Sequence, residues 1–299
     1  MNDKRMSLRI AESDIKKTGK LKIFPDGSFE LLAASRPIFG GAGWELSDKW
    51  DSLPRRNQKK DSPSAEDLNR SRRRAAAKCR EYALCNDFDY FVTLTLDPKK
   101  IDRYSISEAV KRLRVWLDNR VRRNGLKYIL VPELHKDGAV HFHGFFNACG
   151  CNYVDSGTLK IAGQKAPRRR PACSKACAKL LENGAQIVYN ISDWTLGFST
   201  AIPLYGNRAA AVNYAVKYIT KQTEKIGGRW YYSGGDLRLA DVHYLDFSYR
   251  EAEELNGYTF QLAGAGCCVA IIKGDDIGQY FADGVGISVV GGEDERCNR

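Results

Sequence analysis

The stretch Tyr128-Ile-Leu-Val-Pro-Glu-Leu-His-Lys-Asp-Gly-Ala-Val-His-Phe-His-Gly-Phe-Phe-Asn147 contains two apolar, β-prone runs separated by Lys136-Asp-Gly138. An Asp-Gly pair favours a tight hairpin, so the spacing predicts strands over Tyr128–Glu133 and Val140–Asn147. Side chains two apart in a strand point the same way, which puts His141 and His143 on one face and Phe142 on the other. Antiparallel pairing brings position 133 close to position 141 or 143, on the same face in a suitable register. The hairpin therefore sets a carboxylate, Glu133, beside two imidazoles.

Working outward, Tyr90-Phe-Val-Thr-Leu-Thr-Leu96 is β-branched and apolar and is stopped by Asp97-Pro98, the pattern of a buried strand. A helix is predicted from about Ser107 to Arg123, with Val110, Leu113, Leu117 and Val121 as its core stripe. Two further strands fall near Ile187–Ile191 and Phe198–Leu204. Gly206-Asn207 can then start a helix whose buried stripe is Val212, Ala215, Val216 and Ile219. Tyr214, Lys217, Tyr218 and Lys221 share its other side, at i, i+3, i+4 and i+7. Upstream, Ser64-Ala-Glu-Asp67 has the form of a capping box, placing a helix over about Ala65 to Leu84. A hairpin is expected around Pro25-Asp-Gly-Ser28 and a turn at Gly40-Gly-Ala-Gly43.

This order of elements describes an α+β fold, a central antiparallel sheet with helices packed on one side. The expected organisation is an N-terminal extension over 1–54, a main domain over 55–240 and a β-rich C-terminal extension over 241–299. A Cys- and Arg-containing insertion interrupts the main domain at 148–186. The sequence has no internal repeat and no GxxxxGK[ST] phosphate loop, so no ATP-driven helicase is built into it.

With 299 residues and a formal net charge of +11 the chain suits a polyanionic partner. Basic residues crowd Arg55–Arg80, where Arg72, Arg73 and Arg74 are the first candidates for a DNA backbone or else a solvated helix face. Arg168, Arg169 and Arg170 in the insertion are candidates of the same kind. The N-terminus lacks the apolar core of a signal peptide, and the longest apolar run, near Ala263–Ile272, is too short to span a bilayer. A soluble, cytoplasmic protein with reduced cysteines is expected.

Glu133, His141 and His143 would leave coordination positions open for a phosphate oxygen. Mg²⁺ or Mn²⁺ suits such a donor set, Mn²⁺ being better matched to imidazole, and would act as a Lewis acid on a phosphodiester. His135 is the rival third ligand. No HExxH helix points to zinc proteolysis. A phenol near its ordinary pKa of about 10 is a weak nucleophile at neutral pH, and a nearby ammonium favours the phenolate. Lys217 or Lys221 could supply it to Tyr214 or Tyr218. Cys149, Cys151, Cys173 and Cys177 read either as a tetrathiolate zinc site or as unliganded thiols. Cys267-Cys268 reads as core filler. Trp230, Tyr231 and Tyr232 read either as a stacking surface for unpaired bases or as core.

His141-Phe-His143 resembles the His-hydrophobic-His motif of the HUH endonucleases, and the run YAVKYITK from Tyr214 resembles the two-tyrosine motif of phage rolling-circle initiators, such as the gene A type of icosahedral microviruses. Phe91-Val-Thr-Leu-Thr-Leu96 resembles the first motif of replication-associated proteins, including the filamentous-phage gene II type. The motifs stand in the expected order and cover roughly Phe88 to Gln222. The resemblance implies a ferredoxin-like HUH nicking domain, tyrosine attack on single-stranded origin DNA and a covalent 5′-phosphotyrosine intermediate. It also implies a bacterial host that supplies helicase and polymerase. Relaxases carry their tyrosine before the His motif and fit less well. An insertion-sequence transposase and a non-catalytic nucleic-acid-binding protein are the alternatives.

Overall fold

The computed structural model describes residues 18–36, 64–164, 166–204, 208–255, 257–262 and 267–275. In chain order its elements begin with β1 (Gly19–Ile23), β2 (Phe29–Ala34), α1 (Ala65–Cys85), β3 (Tyr90–Leu96) and α2 (Ile106–Asn124). There follow β4 (Tyr128–Leu134), β5 (Val140–Phe146), β6 (Tyr153–Lys160), β7 (Arg168–Arg169), α3 (Ser174–Glu182), β8 (Gln186–Ile191) and β9 (Gly197–Pro203). The last are α4 (Arg208–Lys221), β10 (Tyr232–Gly234), β11 (Asp241–Leu245), α5 (Tyr249–Glu254), β12 (Tyr258–Leu262) and β13 (Cys267–Gly274). The chain divides into two compact units, Pro63–Leu239, and Met1–Ser62 with Ala240–Arg299.

The unit Pro63–Leu239 is built on an eight-stranded sheet in the order β10-β4-β5-β3-β9-β8-β6-β7. β5 lies between β3 and β4 and is antiparallel to both, so β3 and β4 run parallel and α2 makes the crossover between them. Ser64 caps α1 as the sequence predicts, accepting from the Asp67 N–H, and α2 starts close to the expected Ser107, with Ser105 accepting from the Glu108 N–H. Gly125 ends α2 at φ 65°, a left-handed conformation that a side chain would strain.

Helices cover both faces of this sheet, not one as expected from sequence. Under α2 lies a continuous core containing Val92, Leu94, Leu96, Val110, Leu113, Trp116, Leu117, Phe142 and Phe146. On the opposite face α1 and α4 pack against each other and against β4. The alternation along β3 and β5 therefore divides the apolar core under α2 from a largely half-buried face toward α4. The insertion extends the same sheet: β6 joins β8, and Tyr153 stacks on Tyr90 with ring centroids 4.0 Å apart.

The other unit is a five-stranded antiparallel sheet, β11-β1-β2-β13-β12, around Leu21, Phe29, Leu31, Leu245, Phe247 and Ile272. Segments read separately from sequence as N- and C-terminal extensions thus share one sheet. The Pro25–Ser28 hairpin is formed, while the turn at Gly40–Gly43, the cations of 55–60 and the helix start at Gly206-Asn207 lie outside the described residues. No helix among the described residues is long and apolar enough to cross a membrane.

Candidate active site

The face of the sheet opposite α2 brings the predicted residues together. Glu133 is the register partner of His141, and its carboxylate reaches diagonally to His143, with 3.0 Å between Oε2 and Nε2. The His141 and His143 rings are parallel within 13°, their centroids 6.5 Å apart, as two side chains on one strand face must be. Exposed His135 stacks on His141 at 4.3 Å. Among the described residues no group of three or more His, Cys, Asp or Glu side chains gathers as around a bound ion. Glu133 and His143 make the contact, and His141 stands one ring further along the same face.

Sequence reasoning missed what holds the imidazoles. Thr93 Oγ1 and His143 Nδ1 are 3.0 Å apart, and Thr95 Oγ1 and His141 Nδ1 are 3.2 Å apart, because β3 pairs those threonines with those histidines. A hydroxyl can donate or accept. When Nδ1–H donates to threonine, the Nε2 lone pair is left for a cation, and when threonine donates, Nε2–H serves the Glu133 carboxylate. Outer partners of this kind orient metal-binding imidazoles and fix their tautomer. The signal was present as Thr-x-Thr in the first motif, where it reads only as β propensity. Gly144, next to His143, is also required: a Cβ there would stand 1.8 Å from the Ile129 carbonyl oxygen.

Burial holds both imidazoles neutral. It pushes the His143 pKa down to about 4, helped by neighbouring His141 and His135, and lowers that of His141, helped by His135 and opposed by Asp137. Burial raises the Glu133 carboxyl, against the pull of Lys221 and His135. Neutral imidazole is the form that binds a metal. One pair of the expected donors, Glu133 and His143, has the spacing of neighbouring donors of an octahedral divalent ion, about 3 Å for bonds of about 2.1 Å.

The tyrosine helix docks on this cluster. The Tyr218 ring lies flat against His143, centroids 4.6 Å apart and planes 11° from parallel. Tyr218, Lys221 and Glu133 line one cavity of about 220 Å³, with Gln222, Thr223 and Ile226. A larger cavity of about 770 Å³ lies by α2, on the far side of the sheet from the histidines. Val212 and Ile219 are buried as predicted, and Lys217 is exposed. The side chain of Tyr214 lies outside the described residues, though its backbone is within α4.

Half-buried Arg72 is hydrogen-bonded within the protein. Its guanidinium donates to the Gln222 carbonyl at 2.7 Å and to Asn69 Oδ1 at 2.9 Å. The Gln222 side-chain amide in turn donates to the Pro132 carbonyl. The chain Arg72–Gln222–Pro132 ties α1, the end of α4 and the strand of Glu133 together. Arg73 and Arg74 are exposed on α1, and Arg168 and Arg169 are exposed on β7, whereas Arg170 pairs with Asp155. Of the two readings of Trp230 and Tyr232 the core one holds: both are buried, with Trp230 donating to Ser71 Oγ and Tyr232 to the Ile226 carbonyl. Their aromatic bulk is spent on packing. Cys151 is half-buried, and burial pushes its thiol up to about 12. Cys267 and Cys268 are free, with Cys267 in the core.

An antiparallel α+β sheet with a His-hydrophobic-His strand beneath a tyrosine helix is consistent with the HUH class of replication proteins. Residues 89–223 match the family of replication-associated proteins of the ORF2 and gene II protein type, which bears out the resemblance to replication initiators over that segment. No curated protein and no solved structure matches the chain.

Proposed function

We propose that the protein initiates rolling-circle replication by nicking and rejoining single-stranded origin DNA. One observation carries the reading: in a segment matched to replication-associated proteins, Tyr218 packs on His143 and shares a cavity with Glu133 and Lys221. The candidate nucleophile, a cation and one of the metal donors, Glu133, then border one space.

Glu133, His141 and His143 would hold Mg²⁺ or Mn²⁺, which when bound withdraws charge from a phosphate oxygen. Thr93 and Thr95 hold the two imidazoles for that task. The phenolate oxygen of Tyr218, or of Tyr214 one turn earlier, attacks phosphorus. A P–O bond to tyrosine forms, the P–O3′ bond breaks, and the departing oxygen takes a proton to become a 3′-hydroxyl primer. The 5′ end stays on the protein as a phosphotyrosine. Lys221, or Lys217, stabilises the phenolate or the phosphate charge. Rejoining reverses the step when a 3′-hydroxyl attacks the phosphotyrosine. Two tyrosines four residues apart stand one turn apart on the same side of a helix. The second can then attack a regenerated origin while the first still carries the 5′ end. Arg73, Arg74, Arg168 and Arg169 supply contacts to the DNA backbone, and a bacterial host cytoplasm supplies helicase and polymerase.

The test is incubation of labelled single-stranded origin DNA with Mn²⁺, followed by denaturing electrophoresis and peptide mapping. A covalent adduct on Tyr214 or Tyr218 is expected. Tyr214→Phe and Tyr218→Phe should each keep part of the adduct and the double variant none. A mobility shift without any adduct would leave a non-catalytic nucleic-acid-binding protein.

A further inference from the structure

Phe198 on β9 is 68% exposed. Single exposed apolar side chains are ordinary, so exposure alone carries nothing; the row in which this ring stands does. Glu133 is the register partner of His141, His141 of Thr95, and Thr95 of Phe198. Directly opposed residues of antiparallel strands project from the same face. Phe198 therefore stands on the face of the imidazoles, in the row of Glu133 and His141. Two strand spacings of about 4.8 Å place it on the order of 10 Å from His141.

The ground between is small and polar. Thr95 lies directly between the two, and Thr200, the next residue on this face of β9, opposes Thr93. Lys99 and Lys100 follow on the turn after β3, whose last residue Leu96 pairs with Gly197. Lys100 donates to the Thr195 carbonyl at 3.1 Å, and Lys99 is exposed. On this face α1 and α4 pack against β4, while the β9 side leaves Phe198 in solvent.

We propose that Phe198 is a stacking platform for an unpaired base of the strand whose phosphate lies by Glu133 and His143. The inference rests on the reading of this face as a DNA site and adds how the strand is held there. At about 3.4 Å or more per nucleotide, a span on the order of 10 Å puts that base within about three nucleotides of the phosphate. A ring on a polar floor accepts any base, because every base has a π-face. A duplex, with its bases stacked on one another, offers it none.

The experiment measures binding of the full-length chain to a fluorescent single-stranded oligonucleotide and to a duplex of the same length, with a chelator present so that no cleavage occurs. Phe198→Ala is expected to weaken single-strand binding by roughly five- to a hundredfold. Duplex binding should be unchanged, and so should the dependence of single-strand affinity on salt, since no charge is removed. Phe198→Trp is expected to restore affinity and Phe198→Leu, apolar but without a π-face, to fail. Wild-type affinity in Phe198→Ala, an equal loss on duplex, or full rescue by leucine each overturns the proposal. Phe198-dependent binding by a protein that forms no adduct with Mn²⁺ would sink the cleavage reading and leave the platform standing. An adduct whose substrate binding ignores Phe198 would do the reverse.

Discussion

The two faces of β3 and β5 are made from the same residues in alternation and behave as different materials. Toward α2 stand Val92, Leu94, Leu96, Val140, Phe142 and Phe146, all in one apolar core. Toward α4 stand Thr93, Thr95, His141 and His143, joined by hydrogen bonds and opposed by Tyr218. Neighbouring residues thus face different surroundings, an apolar core on one side and, on the other, a polar row continued by Phe91 and Phe145. The division is sharp because the side-chain period of a strand is two, and a one-residue slip of register would exchange the faces.

That comparison is tested most severely at three consecutive positions. His141→Ala and His143→Ala should each abolish nicking while keeping much of the DNA affinity and leaving the thermal midpoint close to wild type. Phe142→Ala between them should instead cost about 3–5 kcal/mol of unfolding free energy in a denaturant titration, because Phe142 is fully buried. Cleavage that survives loss of both histidines would refute the metal assignment. A Phe142 variant of wild-type stability would refute the division of the faces.

The threonines sharpen it. Thr93→Val and Thr95→Val keep the shape of the strand and remove the partner of each Nδ1. Metal affinity, read by Mn²⁺ titration, is expected to fall about 10- to 100-fold with little change in the unfolding midpoint. Unchanged metal binding would reduce these hydroxyls to strand formers.

A smaller contrast lies between arginines on one helix. Removing Arg73 and Arg74 together should flatten the slope of log single-strand affinity against log salt by about 1.4 units, roughly 0.7 per phosphate contact. Arg72→Ala should leave that slope alone and reduce nicking instead, since its guanidinium holds the end of the tyrosine helix. Equal slopes for all three residues would return Arg72 to the DNA surface.

The smallest effect expected is chemical. Burial pushes the Cys79 and Cys151 thiols up to about 12, so neither is a thiolate at neutral pH. Alkylation of the native protein should reach exposed Cys173 first and Cys79 only on unfolding, as peptide mass spectrometry would show. Early labelling of Cys79 would mean that α1 opens away from the sheet.

Much of the local structure was legible in the chain. The strand Tyr90–Leu96 has the predicted bounds, Ser64 begins its helix, and Asp-Gly closes the hairpin of the histidines. These features depend on neighbours a few residues apart, and so does the placing of His141 and His143 on one face. Glu133 could be set near them for the same reason, since only the turn at Lys136–Gly138 intervenes.

What lies across β3 and α1 was decided by tertiary structure. Nothing local states that Thr93 and Thr95 oppose the histidines, since the partners are 50 and 46 residues apart. The same holds for Phe198, whose place in the row follows from β9 pairing on the far side of β3. The hydrogen bond of Arg72 to a carbonyl 150 residues away is not legible in charge patterning, which records a residue's type and not its partner. The aromatic run does not say which side is covered, so core and stacking surface are both open to it until the fold buries Trp230 and Tyr232. The sequence by itself determined the elements and the chemical groups they carry, through short-range sterics and periodicity. Strand order and helix docking, set by long-range burial, decided which of those groups meet.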